Sequence, residues 1–269
     1  MKEKTDFFCS LKNRAIIEIQ GSEREAFLQG IITQDVKRLK EDSILYSLML
    51  SPQGKFQFDF FLVQIDGVWL IDIDASCAQR FMQRLQLFKL RSDVMITLST
   101  EWQVGVSSEK LKLPTCFSDP RLEALGYRVY GKNILEQTPN DDYEHLRLSL
   151  GVPDGVHDMV VDKSIPLEWW MDELQAISWN KGCYMGQELT ARSRYVGQIR
   201  KRVFPVLFKA PGKYEVGDKL FADGQEIGEL RAIRNNLGLA MLKLEFLQSQ
   251  ILVKDTAIEV HQPNWMVIS

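Results

Sequence analysis

No run of about eighteen apolar residues occurs in the chain, so the sequence offers no membrane-spanning helix and no membrane partner is expected. The opening MKEKTDFFCSLKNR lacks the apolar core of a secretion signal, and it carries acidic residues that an Arg- and Ser-rich transit peptide avoids. The expected address is the cytoplasm of a bacterium, or the mitochondrial matrix for a processed organellar chain. Cysteine is sparse: Cys9, Cys77, Cys116 and Cys183 are scattered, with no CxxC and no Cys/His pair at zinc spacing. The three histidines, His145, His157 and His261, are far apart. This argues for a reducing compartment and against a metal site readable from local spacing, so no stably bound metal is expected. Excess positive charge is missing too. A net charge of −3 gives no global case for nucleic acid, and any such case must rest on a local patch. Low-complexity tracts and short repeats are absent. What remains is a 269-residue chain, 45% hydrophobic and 26% charged, of ordinary globular composition and long enough for two or three domains.

The first hundred residues alternate strand and helix signals. RAIIEI (14–19) reads as a strand, and GSEREAFLQGIITQDVKRL (21–39) as a helix opened by a capping box, Ser22 with Glu25. ILYSLML (44–50), KFQFDFFLVQI (55–65) and VWLIDID (68–74) are aromatic and β-branched runs broken by Ser51-Pro52-Gln53-Gly54 and Asp66-Gly67, as hairpins require. SCAQRFMQRLQLFKLR (76–91) places Cys77, Phe81, Leu85 and Phe88 at helical spacing, with Arg80 and Arg84 off that stripe. A similar order restarts with VMITL (94–98), WQVGV (102–106) and GYRVYG (126–131), ending in a helix from Asp141. Residues 151–180 form a long connection with a short helix expected around LEWWMDEL. Beyond Arg202, short strands at regular spacing, with ILVKDTAIEV (251–260) read as the last of them, predict a small barrel. The fold class is thus α+β with antiparallel sheets: blocks at 1–93 and 94–200, then a β-barrel at 201–269.

The stretch WNKGCYMGQELTARSRYVGQIRKR (179–202) carries the most chemistry. A helix opening near Gly186, with Glu188 and Arg192 one turn apart as an i,i+4 pair, would set Cys183 just ahead of a helix N-terminus and close to Lys181. Both neighbours favour a thiolate. Gly182 and Gly186 permit a tight turn or close backbone approach. The competing view is that Cys183 is a small buried hydrophobe, the fate of most free cysteines. The basic run Arg192, Arg194, Arg200, Lys201 and Arg202 is either a phosphate or carboxylate contact or a solvated linker. In IPLEWW, Glu168 could accept two parallel hydrogen bonds from the N–C–N edge of a pterin or guanine. Trp169, Trp170, Trp179 and Tyr184 could then supply ring faces, or serve as core anchors.

NKGCYMGQELTAR resembles the K-G-C-[hydrophobic]-x-G-Q-E signature of the YgfZ family, which is related to the folate-binding T-protein of glycine cleavage. The longer form, with IRKRVFPV downstream, is most similar to the branch that contains the mitochondrial iron–sulfur assembly factor. FLQGIITQDV (27–36), LSPQGKFQFDFFL (50–62), LRLSLGVPDG (146–155) and DKSIPLE (162–168) agree in order and spacing. The resemblance covers nearly the whole chain, more weakly in 92–140 and in the C-terminal module. It implies a ring of three domains around a central folate-binding channel. It also implies a role in making or repairing iron–sulfur clusters, notably [4Fe–4S], with tetrahydrofolate or a derivative as ligand. Implied partners are iron–sulfur assembly proteins and client enzymes, with tRNA thiolation linked indirectly. Lys181, Gly182, Cys183, Gly186, Gln187 and Glu188 match the signature, and Arg192 the arginine after it. Cys183 and Lys181 take the reactive role. Glu168 matches the pterin-binding carboxylate of the T-protein, and Asp59 and Tyr184 join it as expected cofactor contacts.

One departure separates neighbours. The T-protein carries adjacent aspartates after its Gly-Gly turn, whereas GKFQFDF reads Phe58-Asp59, so an ordinary aminomethyltransferase is not expected. Three functions therefore stand. The first is a folate-binding factor for iron–sulfur maturation acting through Cys183, which as a lone thiol reacts or shares a transient cluster. The second is a tetrahydrofolate-dependent aminomethyl- or methyltransferase using Asp59 or Glu168 as acid–base group. The third is an RNA-binding protein acting on tRNA through 192–202.

Overall fold

A computed structural model describes residues 6–40, 43–134 and 139–268, so the first five residues of the segment read for a leader lie outside it. In chain order the strands are β1 (Phe8–Ser10), β2 (Arg14–Gln20), β3 (Ser43–Leu50), β4 (Phe56–Ile65), β5 (Val68–Asp74), β6 (Met95–Ser99), β7 (Gln103–Ser107), β8 (Cys116–Ser118), β9 (Tyr127–Gly131), β10 (Lys201–Phe208), β11 (Lys219–Ala222), β12 (Gln225–Arg234), β13 (Leu237–Lys243), β14 (Ile251–Val253) and β15 (Thr256–Val260). The helices are α1 (Arg24–Gln29), α2 (Ala75–Lys89), α3 (Asp141–Ser149), α4 (Gly155–Asp158) and α5 (Gln187–Tyr195). They build two antiparallel sheets, ordered β3-β4-β5-β2-β6 and β1-β7-β9-β8, and a closed barrel, β10-β13-β12-β11-β14-β15.

The aromatic run of β4 exists because both faces of that strand are buried. Phe58, Phe60 and Leu62 point into one core against Phe81 of α2, whereas Phe61, Val63 and Ile65 point into the other. The second core runs on through Val104 of the second sheet, Trp170 of the connection and Phe204 of the barrel, welding the parts together. α2 starts where Asp74 accepts from the Ser76 amide at 2.9 Å, and it buries Cys77, Phe81 and Leu85 as the spacing predicts.

Four expectations need correction. The boundary at 93/94 is crossed in both directions: β6 completes the first sheet beside β2, and β1 from the N-terminal block pairs with β7 of the second. The long helix of 21–39 is only the short α1, which has no side-chain cap, and a 3-10 turn at Val36–Arg38, capped by the Asp35 carboxylate accepting from the Lys37 amide. Ser22 instead bonds Asp93 through its hydroxyl at 2.6 Å, so a tertiary partner takes the group the capping box needed. LEWWMDEL forms a 3-10 turn, Pro166–Trp169, which stops because Trp170 adopts φ +61° and drops its ring into the core. Finally, ILVKDTAIEV is a hairpin rather than one strand, turning at Lys254 and Asp255 with φ +46° and +62°.

Candidate functional site

Cys183 sits on a turn stitched to the first domain by hydrogen bonds from several directions. Thr33 donates its hydroxyl to the Ala176 carbonyl (2.6 Å), Gln34 its side-chain amide to the Gln175 carbonyl (2.6 Å), and the Ser178 amide donates to the Thr33 carbonyl (3.0 Å). The Met185 amide donates to the Gly30 carbonyl at 3.2 Å. Lys181 is the central clasp. Its side chain is buried, and Nζ donates to the carbonyls of Ile32 (2.7 Å) and Gln34 (2.8 Å) while lying 5.2 Å from the Tyr184 ring. Burial pushes its ammonium down to about 8, with Asp35 pulling the other way. The sequence reading gave Lys181 to the thiol; the structure commits its ammonium to backbone carbonyls, so it holds the turn that carries Cys183.

Among the four cysteines Cys183 is the exposed one, while Cys9, Cys77 and Cys116 are buried. Burial pushes the Cys77 thiol up to about 12 and raises that of Cys116 as well, which leaves both unreactive. Gly182 is exposed, with open space where a Cβ would stand. Gly186, by contrast, is required: at φ +83° it caps α5, and a Cβ there would lie 2.5 Å from the Ser51 carbonyl oxygen. Gly54, at φ +69°, meets Gly186 from the other side. The Ser51–Lys55 turn and the start of α5 can therefore pack backbone to backbone. Cys183 lies three residues ahead of Gly186, outside the helix proper.

α5 forms one wall of a groove of about 540 Å³. Ile165, Pro166, Leu167, Leu189 and Val196 give it an apolar lining, and Lys55 and Arg192 add positive charge. Arg192 faces this groove, and among the described residues it forms no ion pair with Glu188, so the expected i,i+4 pair is not made. Glu168 directly follows the lining residues. Burial raises its carboxyl above the ordinary range, opposed by Lys201 and Lys55, and Lys201 Nζ lies 3.7 Å away.

Asp59 is elsewhere. It lines a separate cavity of only about 20 Å³ with Arg14, Arg121, Arg128 and Arg147, room for little more than one water. Tyr46 donates to its carboxylate at 3.0 Å. Gly155 covers it so closely that a Cβ at 155 would stand 1.7 Å from Oδ1. Burial raises its carboxyl, with Arg14 opposing. Asp59 and Glu168 therefore do not share a pocket, and the expectation that both hold one ligand fails in this conformation.

The aromatic faces are likewise spent on packing. Trp170 donates Nε1–H to the Val203 carbonyl (2.7 Å) and meets Phe204 and Trp265 edge-on. Trp169 and Tyr184 are buried away from the groove wall, and the Tyr184 hydroxyl has no hydrogen-bond partner among the described residues. Trp179 donates to Asp172 and packs against Tyr195. Of the basic run, Arg194 pairs with Asp172, Arg202 with Glu173, and Lys201 approaches Glu168. Arg192 and Arg200 form no ion pair among the described residues. Residue-type reasoning did not assign Thr33, Gln34 and Gly155 to the site. Their signal was their place in the stretches FLQGIITQDV and LRLSLGVPDG.

Residues 200–268 match the family model described as the CAF17 C-terminal β-barrel domain. Along its length the chain is similar to a mitochondrial iron–sulfur cluster assembly factor IBA57 homolog of Pyricularia oryzae, at 29% identity over 96% of this chain and 77% of the relative. It is 28% identical to the human mitochondrial factor of that name, over 95% of this chain and 84% of that protein. A Mycosarcoma maydis homolog is 32% identical over 74% of this chain and 57% of its own length. Among solved structures, the glycine cleavage aminomethyltransferase T of Bartonella henselae superposes with a TM-score of 0.76 over 96% of this chain and 86% of that one. At 14% identity that likeness establishes the architecture alone.

Proposed function

We propose that the chain, which has a T-protein-like fold, belongs with the IBA57/CAF17 proteins and supports iron–sulfur cluster assembly or repair through Cys183 and a folate held in the α5 groove. The observation that carries this reading is the display of Cys183. It is an exposed thiol on a turn clamped by Lys181, at the head of the helix that walls the groove. Among the described residues no group of three or more His, Cys, Asp or Glu converges to hold a metal ion. One thiolate supplies about a quarter of the ligands a cluster needs. Cys183 therefore acts toward a cluster whose remaining ligands come from a partner assembly protein, a client [4Fe–4S] enzyme or a second chain.

The groove fits a folate in kind. Its volume lies in the range of small-ligand sites. Its apolar lining suits a ring system, and Lys55 and Arg192 suit the glutamate carboxylates. Glu168, outside the lining but next to Leu167 and within electrostatic reach of Lys55, is the carboxylate that would meet the donor edge of a pterin at the groove's margin. The folate supplies one-carbon or redox chemistry when bound; the chain's own residues bind it and orient it toward the thiol turn. A standard aminomethyltransferase is disfavoured by the small, covered cavity of Asp59. Direct tRNA binding through 192–202 is disfavoured by the ion pairs that occupy Arg194 and Arg202. The relatives' names place them in mitochondria, which agrees with the matrix as the compartment of an organellar chain.

The test is complementation in cells lacking the corresponding factor. Cys183→Ser should abolish rescue of [4Fe–4S] enzyme activity while the melting temperature and tetrahydrofolate affinity of the purified protein stay as in wild type. Full rescue by the variant would remove the thiol from the function.

A further inference from the structure

α2 turns an unusual face to solvent. From Ala75 to Arg91 there is no acidic residue and there are four basic ones, Arg80, Arg84, Lys89 and Arg91. None of the four forms an ion pair with a described carboxylate. Arg80 and Arg84 are instead spread over aromatic rings, 4.8 Å from the Phe58 centroid and 4.9 Å from that of Phe88, which holds both guanidinium groups in place. The Nε–H of Arg84 is buried with no acceptor. Of the two carboxylates that flank α2, Asp74 caps its N-terminus and contacts His157. Asp93 accepts from the Ser22 amide and hydroxyl and interacts with Lys89 only at longer range.

At the end of this basic face two leucines protrude. Leu87 is 67% exposed and Leu90 86%, and Met95 follows at 55%. Leu90 ends the helix at φ +49°, ψ −110°, a conformation that costs any residue with a Cβ and would suit glycine. A large apolar side chain is thus held in water, on a strained backbone, at the helix end. Neither of the two cavities lies there. No helix of the described residues is long and apolar enough to cross a membrane.

We propose that the C-terminal half of α2 and the turn after it dock on a membrane surface rich in anionic headgroups. Leu87 and Leu90 enter the acyl boundary while Arg80, Arg84, Lys89 and Arg91 meet the phosphates. A nucleic acid would use the same charges but has no use for protruding leucines.

The test is co-sedimentation of the full chain with vesicles of phosphatidylcholine alone and of phosphatidylcholine with phosphatidylglycerol, at low and high salt. Binding is expected on the anionic vesicles alone and should fade with salt. Leu87→Ser with Leu90→Ser, and Arg80→Gln with Arg84→Gln, should each lower the partition roughly tenfold. Leu90→Gly gives a readout that a structural role would not: it should raise the melting temperature, because the strain is relieved, and still weaken vesicle binding. Equal binding to neutral vesicles, no binding to anionic ones, or unchanged binding in these variants would overturn the proposal. So would retention of tRNA that the arginine variant loses and the leucine variant keeps, since that would assign the face to nucleic acid.

Discussion

Replacing Lys181 by methionine tests whether this residue is a clasp or an activator of the thiol. The ammonium donates to two carbonyls, Ile32 and Gln34, and hydrogen bonds from a charged donor contribute roughly 1.5–3 kcal/mol each. Against them stands the cost of burying the charge, visible in the fall of its pKa to about 8. Methionine keeps the apolar stem but leaves both carbonyls without this donor. The expected loss is about 2–3 kcal/mol at neutral pH, a drop of roughly 4–10 °C in melting temperature for a chain of this size. The pH dependence has a definite sign. The unfolded lysine releases its proton near ~10.4 and the folded one at about 8, so between these values the unfolded state holds more protons. This group's contribution to stability therefore rises with pH across that window. The difference between wild type and variant should widen from pH 8 upward, and urea titrations followed by tryptophan fluorescence would measure it. Hydrogen exchange should quicken in 30–34 and 175–186 while the barrel stays protected. If the variant is as stable as wild type and exchange in both segments is unchanged, the clasp reading is wrong.

Three further outcomes follow from the geometry. Gly155→Ala should destabilise by about 1–3 kcal/mol, because the added methyl collides with Asp59 Oδ1, and Asp59→Ala in the same chain should recover part of that loss in a thermal melt. Glu168→Gln should weaken tetrahydrofolate binding by about tenfold in calorimetry. In wild type, affinity should fall at a higher pH than an ordinary glutamate would give, since the carboxyl is raised by burial and must be ionised to accept two hydrogen bonds; a flat pH profile would exclude Glu168 from the pterin contact. His157 Nε2 lies 2.8 Å from Asp74, and that pairing raises its pKa against the effect of partial burial. The contribution is complete below the unfolded value near ~6.5 and is lost as pH rises through the folded one. His157→Gln should erase that acid-side gain in stability while leaving the alkaline side unchanged.

Much of the local structure was legible because it depends on neighbours in the chain. The α2 stripe of Cys77, Phe81 and Leu85, the Asp66-Gly67 turn and the barrel strands after Arg202 all follow from periodicity and turn chemistry. Where the reading failed, a distant group had taken over a local one. Ser22 gave its hydroxyl to Asp93 instead of a helix end, Trp170 left its helix for the core, and β1 and β6 exchanged sheets. None of these partners lies within a sequence window.

By itself the sequence determined the candidate groups and the fold class: one cysteine among four set in K-G-C-x-x-G-Q-E, a carboxylate in IPLE, and an α+β chain that ends in a barrel. Tertiary structure decided what each group is free to do. It spent Lys181 on carbonyls nearly 150 positions away, closed Gly155 over Asp59, and left Cys183 in the open. The reason is physical. A side chain's chemistry is intrinsic, but its charge state, partners and access to solvent depend on which backbone folds against it.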